Sequence, residues 1–167
     1  MTPAEQIVVA DIDGVATRDN ASRFGGIGPV GEAVWWGLRA AGIADRMLRE
    51  AEPDTLAREW FRRLRELGHP VHLRTGRVQG KQEQITREWL ARHCFEYDRL
   101  DCRPPGVSLV EFKLAGVRRS TGCWLYLEDN ESLCRAAAKL GDDAPVVLQI
   151  TDWRITSTVL AALTRQT

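Results

Sequence analysis

The spacing of apolar and polar positions changes period several times along the chain, and each change predicts an element. Ile7-Val8-Val9-Ala10 is a β-branched run that predicts a buried strand over about residues 6–12, with Gly14 ending it. Leu56, Trp60, Phe61, Leu64 and Leu67 recur at helical spacing and predict a helix over 54–67. Asp54 suits its start, and Gly68 with Pro70 stops it. Val71-His72-Leu73 predicts a second strand that ends at Arg74-Thr75-Gly76-Arg77, and Ile85, Trp89 and Leu90 mark the inner face of a helix over 81–93. A short extended piece over 98–102 precedes Arg103-Pro104-Pro105, and 107–118 reads as helical. Cys123-Trp124-Leu125-Tyr126-Leu127 predicts a strand running into Glu128-Asp129-Asn130. A helix over 131–140 turns Leu133, Ala137 and Leu140 inward, Val146 to Ile150 forms a last strand, and a closing helix starts near Ile155.

Strands alternating with helices imply a parallel sheet covered on both faces, an α/β Rossmann-like doubly wound fold. Ligands in such sheets sit at the carboxyl ends of the strands. The regular pattern is interrupted once, over 14–53, after the first strand. Gly25, Gly26 and Gly28 suit a hinge there, and helix-like pieces fall near 31–41 and 43–51. The region is too short for a large second domain, and a flap or small cap is expected within a single domain spanning 1–167. Trp35 and Trp36 are adjacent and cannot share a helix face, so one packs inward while the other is exposed or covers the site. Plain packing and a stacking surface for a base are both open.

Composition narrows the class. At 167 residues the chain can bury roughly two-thirds of its unfolded surface without staples. Lys plus Arg and Asp plus Glu number 23 each, which excludes a global basic field and leaves polyanion binding to a local patch. Cys94, Cys102, Cys123 and Cys134 form no CxxC pair, so reduced thiols are expected rather than a zinc site. His69, His72 and His93 lack metal-ligand spacing, and Trp153 points to nothing specific. No signal-like or membrane-spanning apolar run occurs, so no membrane partner and a cytoplasmic protein are expected. The arginines at 58, 62, 63 and 65 read as a solvated helix face.

The candidate chemistry lies at three strand ends. Asp11 and Asp13 leave the first strand on the same side, Thr75 ends the second, and Glu128 with Asp129 ends another. Two carboxylates at a buried strand end require a cation or a proton. Lys113 lies on the helix between the second and third clusters. Carboxylates for a hard cation, a hydroxyl and a fixed positive charge are what phosphoryl transfer to a carboxylate requires.

In order, Asp11-Ile12-Asp13-Gly14-Val15, Thr75-Gly76-Arg77, Lys113 and Glu128-Asp129 resemble the motifs of haloacid dehalogenase superfamily phosphatases, across residues 7–150. The resemblance implies that Asp11 is a nucleophile carrying an aspartyl-phosphate and that Asp13 is the general acid and base. It also implies a Mg²⁺ site on the Asp11 carboxylate, the Asp13 carbonyl and the Glu128-Asp129 pair, with Thr75 and Lys113 on the phosphoryl group. Val15 stands where threonine is commoner, Ala16 where leucine is frequent, and Glu128 where aspartate is common. Either Glu128 or Asp129 can then be the main ligand, and Lys81 competes with Lys113.

A narrower resemblance, to the 3′-phosphatase domain of polynucleotide kinase-phosphatases, covers Thr75-Gly76-Arg77, Thr86-Arg87-Glu88-Trp89-Leu90, Tyr97-Asp98-Arg99-Leu100, Arg103-Pro104 and Lys113. It implies that Gly76, Arg77 and Arg103 meet the substrate, a phosphate ester, with nucleic-acid 3′ ends leading. Arg74, Arg77, Lys81, Arg87 and Arg92 against Glu83 and Glu88 would make a positive rim, with an ordinary mixed-charge helix as the other reading. Gly76 to Gln82 imitates a phosphate-binding loop but has one residue too few between its glycines and Gln82 where Ser or Thr belongs. A calcium loop at Asp11 is excluded by its early glycine and by Ser22 at the position of the bidentate acid. The alternatives are a phosphatase of nucleotides or small esters, or a non-catalytic binding module of the same fold.

Overall fold

The computed structural model describes residues 6–18, 37–38 and 42–165. The hinge glycines Gly25, Gly26 and Gly28 and the Trp35-Trp36 pair lie outside the described residues. Strands β1 (Ile7–Ala10), β2 (Val71–Val78), β3 (Arg99–Arg103), β4 (Cys123–Glu128) and β5 (Val146–Gln149) form one sheet in the order β3-β2-β1-β4-β5. Every pairing is parallel, as expected of strands separated by helices. The described helices are α1 (Ile43–Glu50), α2 (Thr55–Glu66), α3 (Lys81–Arg92), α4 (Leu109–Ala115), α5 (Glu131–Ala138) and α6 (Trp153–Leu163).

Alternation along the strands divides the core between two faces. Val8, Ala10, Leu125 and Leu127 join Phe61 and Leu64 of α2, Trp89 and Leu90 of α3, and Leu160 of α6. Val9 and Tyr126 point the other way, to Val117 and to Ala137 of α5, with Leu114 of α4 packed on this cluster. Both faces are covered, which is the doubly wound arrangement. From β1 the chain moves to β2 on one side and later returns to β4 on the other. The carboxyl ends of β1 and β4 therefore flank the switch point, where such sheets bind ligands.

Local chemistry explains most boundaries. Asp54 caps α2 by accepting from the Leu56 and Ala57 amides at 2.9 and 3.1 Å. Ser108 caps α4 through the Glu111 amide, and Asn130 caps α5 through Ser132 and Leu133. Three expectations are corrected. β2 runs on to Val78, with an irregularity in its pairing between Thr75 and Val78, so Thr75 lies inside the strand rather than at its end. Helix α4 is shorter than 107–118, because its cap is Ser108 and Gly116 closes it. Helix α6 begins at Trp153 rather than Ile155, because Asp152 accepts from the Arg154 amide.

The two described ends of the segment between β1 and α2 are bonded together. Thr17 bridges antiparallel to Pro53, the Arg18 amide donates to Glu52 O at 2.9 Å, and the Asp54 amide donates to Ala16 O at 2.8 Å. Helix α1 rests on α3 through Lys81–Asp45 at 2.6 Å and Arg49–Glu88 at 2.9 Å, with Trp89 Nε1 donating to Ala51 O. Among the described residues no helix is long and apolar enough to cross a membrane.

Candidate active site

The turn after β1 is tight and internally bonded. The Ala16 and Thr17 amides donate to Ile12 O at 2.8 and 3.0 Å, and the Gly14 amide donates to Thr17 Oγ1 at 3.0 Å. Gly14 has φ +81°, and a Cβ there would run into the Asp129 carboxylate. Glycine therefore serves both the left-handed turn and the approach of Asp129. Trp153 Nε1 donates to Val15 O at 2.7 Å and ties the turn to α6. The lone tryptophan that the sequence left unassigned thus braces the loop carrying both candidate acids.

Lys113 is the hub of the site. It is 1% exposed, and its Nζ lies 2.6 Å from Asp11 Oδ1 and 3.1 Å from Glu128 Oε2. Asp11 Oδ1 also accepts from the Ile12 amide at 2.8 Å. Glu128 ends β4 and is fully engaged: Tyr126 Oη donates to Oε2 at 2.5 Å and the Asn130 amide donates to Oε1 at 3.2 Å. Oxygens of Asp11, Glu128 and Asp129 all lie within 4.8 Å of one another. Lys113 and the two strand-end clusters do meet, and Lys81 does not join them: its side chain is 71% exposed and paired with Asp45.

The electrostatics follow from burying three carboxylates around one lysine. Burial, then the Glu128 charge, push the Asp11 carboxyl well above its usual range, with Lys113 opposing. Burial and Glu128 raise Asp129 to about 7. Burial also disfavours the Glu128 carboxylate, but Lys113 and the Tyr126 hydroxyl outweigh it and hold that group below its ordinary value. For Lys113, burial is outweighed by Asp11 and Glu128, so the ammonium is held more firmly than usual. Lys113 is shared between Asp11 and Glu128, and one ammonium among three carboxylates leaves the cluster in negative excess.

Asp13 turns to Arg77. Arg77 Nη2 lies 2.7 Å from Asp13 Oδ1 and Nε 3.1 Å from Oδ2, and Nη1 donates to Thr86 Oγ1 at 3.2 Å. The Arg77 side chain, which the resemblance assigns to the substrate, is buried and paired with Asp13. Thr75 is fully buried, and its Oγ1 accepts from the Arg77 amide at 3.2 Å. A Cβ on Gly76 would lie 2.8 Å from Leu109 Cδ1, so the packing of α4 on β2 explains this glycine. Arg103 is buried at the end of β3, where its Nη1 donates to Val107 O at 3.2 Å.

The expected positive rim is not a set of free charges. Arg74 pairs with Asp101, Arg77 with Asp13, Lys81 with Asp45 and Arg87 with Glu83, while Arg92 Nη1 reaches Arg49 O. The arginines on α2 divide: Arg65 holds Asp98 and Glu96, and Arg63 stacks on Trp60. The four cysteines are free thiols, as expected, and burial pushes Cys102, Cys123 and Cys134 up to about 12, which disfavours their reactive thiolate form. Sequence reasoning gave no site role to Tyr126 or Trp153 and placed Arg74 only in the rim; the signal for Tyr126 was a polar aromatic at an inward strand position two residues before an acid.

No family model and no curated protein sequence matches the chain. Solved structures do match. A chain of the Pnkp1/Rnl/Hen1 RNA repair complex superposes with TM-score 0.62 at 18% identity, covering 90% of this chain and 43% of that one. The chain thus spans less than half the length of that protein. Phosphoserine phosphatase from T. onnurineus superposes with TM-score 0.55 at 17% identity, covering 96% and 97%. The HAD domain of the effector Lem4 from Legionella pneumophila gives 0.55 at 12%, covering 95% and 94%. At these identities the likeness establishes the fold, which is haloacid dehalogenase-like, as the order of motifs implied.

Proposed function

We propose that this chain is a Mg²⁺-dependent phosphomonoesterase that works through an aspartyl-phosphate on Asp11, with polynucleotide 3′-phosphate ends as its substrate. The observation that carries the reading is Lys113 bridging Asp11 and Glu128 with Asp129 alongside, at the switch point of the sheet. A binding module would have no need to bury a lysine and three acids together at the cost of their desolvation.

The donor set fits a hard divalent cation. Its oxygens are carboxylates, they are crowded, and one ammonium leaves them in negative excess. Glu128 already takes hydrogen bonds on both oxygens, so we assign it to orienting Lys113 and assign the cation to Asp129, the Asp11 carboxylate and the Asp13 carbonyl. When bound, Mg²⁺ supplies the positive charge that lets an anionic phosphate approach the Asp11 carboxylate.

In the first half-reaction an Asp11 oxygen attacks phosphorus and the bond to the ester oxygen breaks. Asp13 gives its proton to the leaving oxygen. In the second, Asp13 takes a proton from water as the water oxygen attacks phosphorus, which releases Asp11 and inorganic phosphate. Lys113 and Thr75 stabilise the charge on the outer phosphoryl oxygens. Arg77 holds the Asp13 carboxylate in place by its two-pronged contact.

The polynucleotide assignment is supported by the resemblance at Arg103-Pro104 and Tyr97-Asp98-Arg99-Leu100 and by the fold shared with a member of an RNA repair complex. Release of phosphate from an aryl phosphate, with and without Mg²⁺, for wild type and Asp11→Asn, tests the activity. Metal-dependent turnover absent from the variant is expected; no turnover by well-folded wild type on any ester would sink the reading. Rates on a 3′-phosphorylated oligonucleotide, a 5′-phosphorylated one and a mononucleotide test the substrate, and equal rates would remove the 3′ assignment in favour of small esters.

A further inference from the structure

We infer that Arg74 is a positioning residue for Lys113, acting through the main-chain carbonyl of Phe112. Arg74 lies on β2 with its register partner Asp101 beside it on β3. Its side chain is 14% exposed and crosses to α4, the helix that carries Lys113. Nε and Nη2 both donate to Phe112 O, at 2.8 and 2.7 Å, and Nη1 donates to Asp101 Oδ2 at 3.0 Å. The guanidinium also stacks on the Phe112 ring, with Cζ 4.0 Å from its centroid.

Phe112 O is one of the last four carbonyls of α4, and the amide that would normally serve it is that of Gly116. The Gly116 amide instead donates to Lys113 O at 3.2 Å. The helix end is therefore tied to the sheet by a side chain rather than by its own ladder. Gly116 makes room for that tie, because a Cβ there would run into the Arg74 guanidinium. Asp101 fixes the other side of the fork and is itself held by Arg99 at 2.8 Å.

The next residue along the helix is Lys113, whose Nζ must sit 2.6 Å from Asp11 and 3.1 Å from Glu128. A helix of two turns with one capping serine holds its far end weakly by itself. Arg74 supplies a charged, two-donor anchor one residue from the lysine. The planar fork matters: a lysine at 74 cannot serve the carbonyl twice and the carboxylate once.

The kinetic consequence rests on the phosphatase reading; the geometric one does not. The test compares wild type with Arg74→Met and, as a variant that keeps the charge, Gly116→Ala. The Gly116 backbone at φ −99° accepts alanine, so the added methyl displaces the guanidinium without straining the chain. Two quantities are read: the Lys113 Nζ–Asp11 separation in a crystal structure of each variant, and kcat and KM on an aryl phosphate with Mg²⁺. We expect the ion pair to open beyond 4 Å, and kcat to fall about 10–100-fold with KM within about twofold, as for a mispositioned catalytic group. If Arg74→Met does not fold, Gly116→Ala carries the test. An ion pair that stays closed in the folded variants overturns the inference, as does an unchanged kcat. If wild type shows no phosphatase activity the functional reading fails, and the crystallographic separation still decides the positioning.

Discussion

Truncating Arg77 to alanine asks whether this residue serves the reacting centre or the polynucleotide. Arg77 is 2% exposed, and its guanidinium meets Asp13 through a fork at 2.7 and 3.1 Å. Removing one partner of a buried ion pair costs about 3–5 kcal/mol, because the other charge is stranded. The Asp13 side chain keeps 21% exposure, so water recovers part of that. A loss of about 2–3 kcal/mol remains, which for a chain of this length lowers the melting temperature by about 4–12 °C. Below that transition the effect on turnover is separable. General acid–base help is worth about 10²–10⁴-fold, and a carboxyl that loses its orienting fork forfeits part of it, about 10–100-fold. The assay is steady-state turnover of a 3′-phosphorylated oligonucleotide and of a series of aryl phosphates with leaving groups of increasing basicity. Because Arg77 touches Asp13, the oligonucleotide and the aryl esters should lose activity by similar factors. The deficit should grow with leaving-group basicity, since a poorer leaving group depends more on the proton. A loss confined to the oligonucleotide, flat across the aryl series, would refute this reasoning and return Arg77 to the substrate.

Four further outcomes follow from the same geometry. Gly14→Ala forces a side chain into a left-handed turn, at about 1–2 kcal/mol, and pushes Asp129 aside; calorimetric Mg²⁺ affinity should fall about tenfold or more while circular dichroism stays native. The Asp129 carboxyl, raised from 3.8 to about 7 by burial and then Glu128, must lose its proton to take a cation. Apparent Mg²⁺ affinity should therefore fall as pH drops below about 7, approaching tenfold per pH unit, and Asp129→Asn should weaken binding and flatten the dependence. The same raised value means that the metal-free folded chain holds this proton more tightly than the unfolded one, so its stability falls as pH rises from about 4 to about 7, readable by denaturant titration. Lys113→Met should cost about 10²–10³-fold in kcat, whereas Lys81→Met should stay within about twofold, since exposed pairs contribute little; equal losses in the two would undo the assignment of Lys113.

The elements were legible where their cause is local. Strand β1 is a β-branched run closed by a turn, α2 has Asp54 at its cap and an apolar stripe, and the alternation of strands with helices leads directly to a parallel sheet. The motif residues were legible for the same reason, since each strand carries its polar end within a few residues. The ends of α4 and α6 were set by local caps, Ser108 and Asp152, that the apolar pattern does not weigh, whereas β2 was extended by a non-local contact. Val78 of β2 pairs with Arg103 of β3, and that pairing leaves no local trace.

Partnership between the motifs belongs to a different level. Arg77 and Asp13 are separated by 64 positions, and which of the arginines near Thr75 meets Asp13 depends on how β2 lies beside β1. In the same way, the order β2-β1-β4 brings Lys113 between Asp11 and Glu128, leaves Lys81 in solvent, and turns Glu128 rather than Asp129 into the lysine's partner. Hydrophobic period and turn chemistry act within one element and are written in consecutive residues. Pairing of buried charges is settled by crossover topology and by the desolvation that follows from it, and the chain acquires both only when the sheet closes.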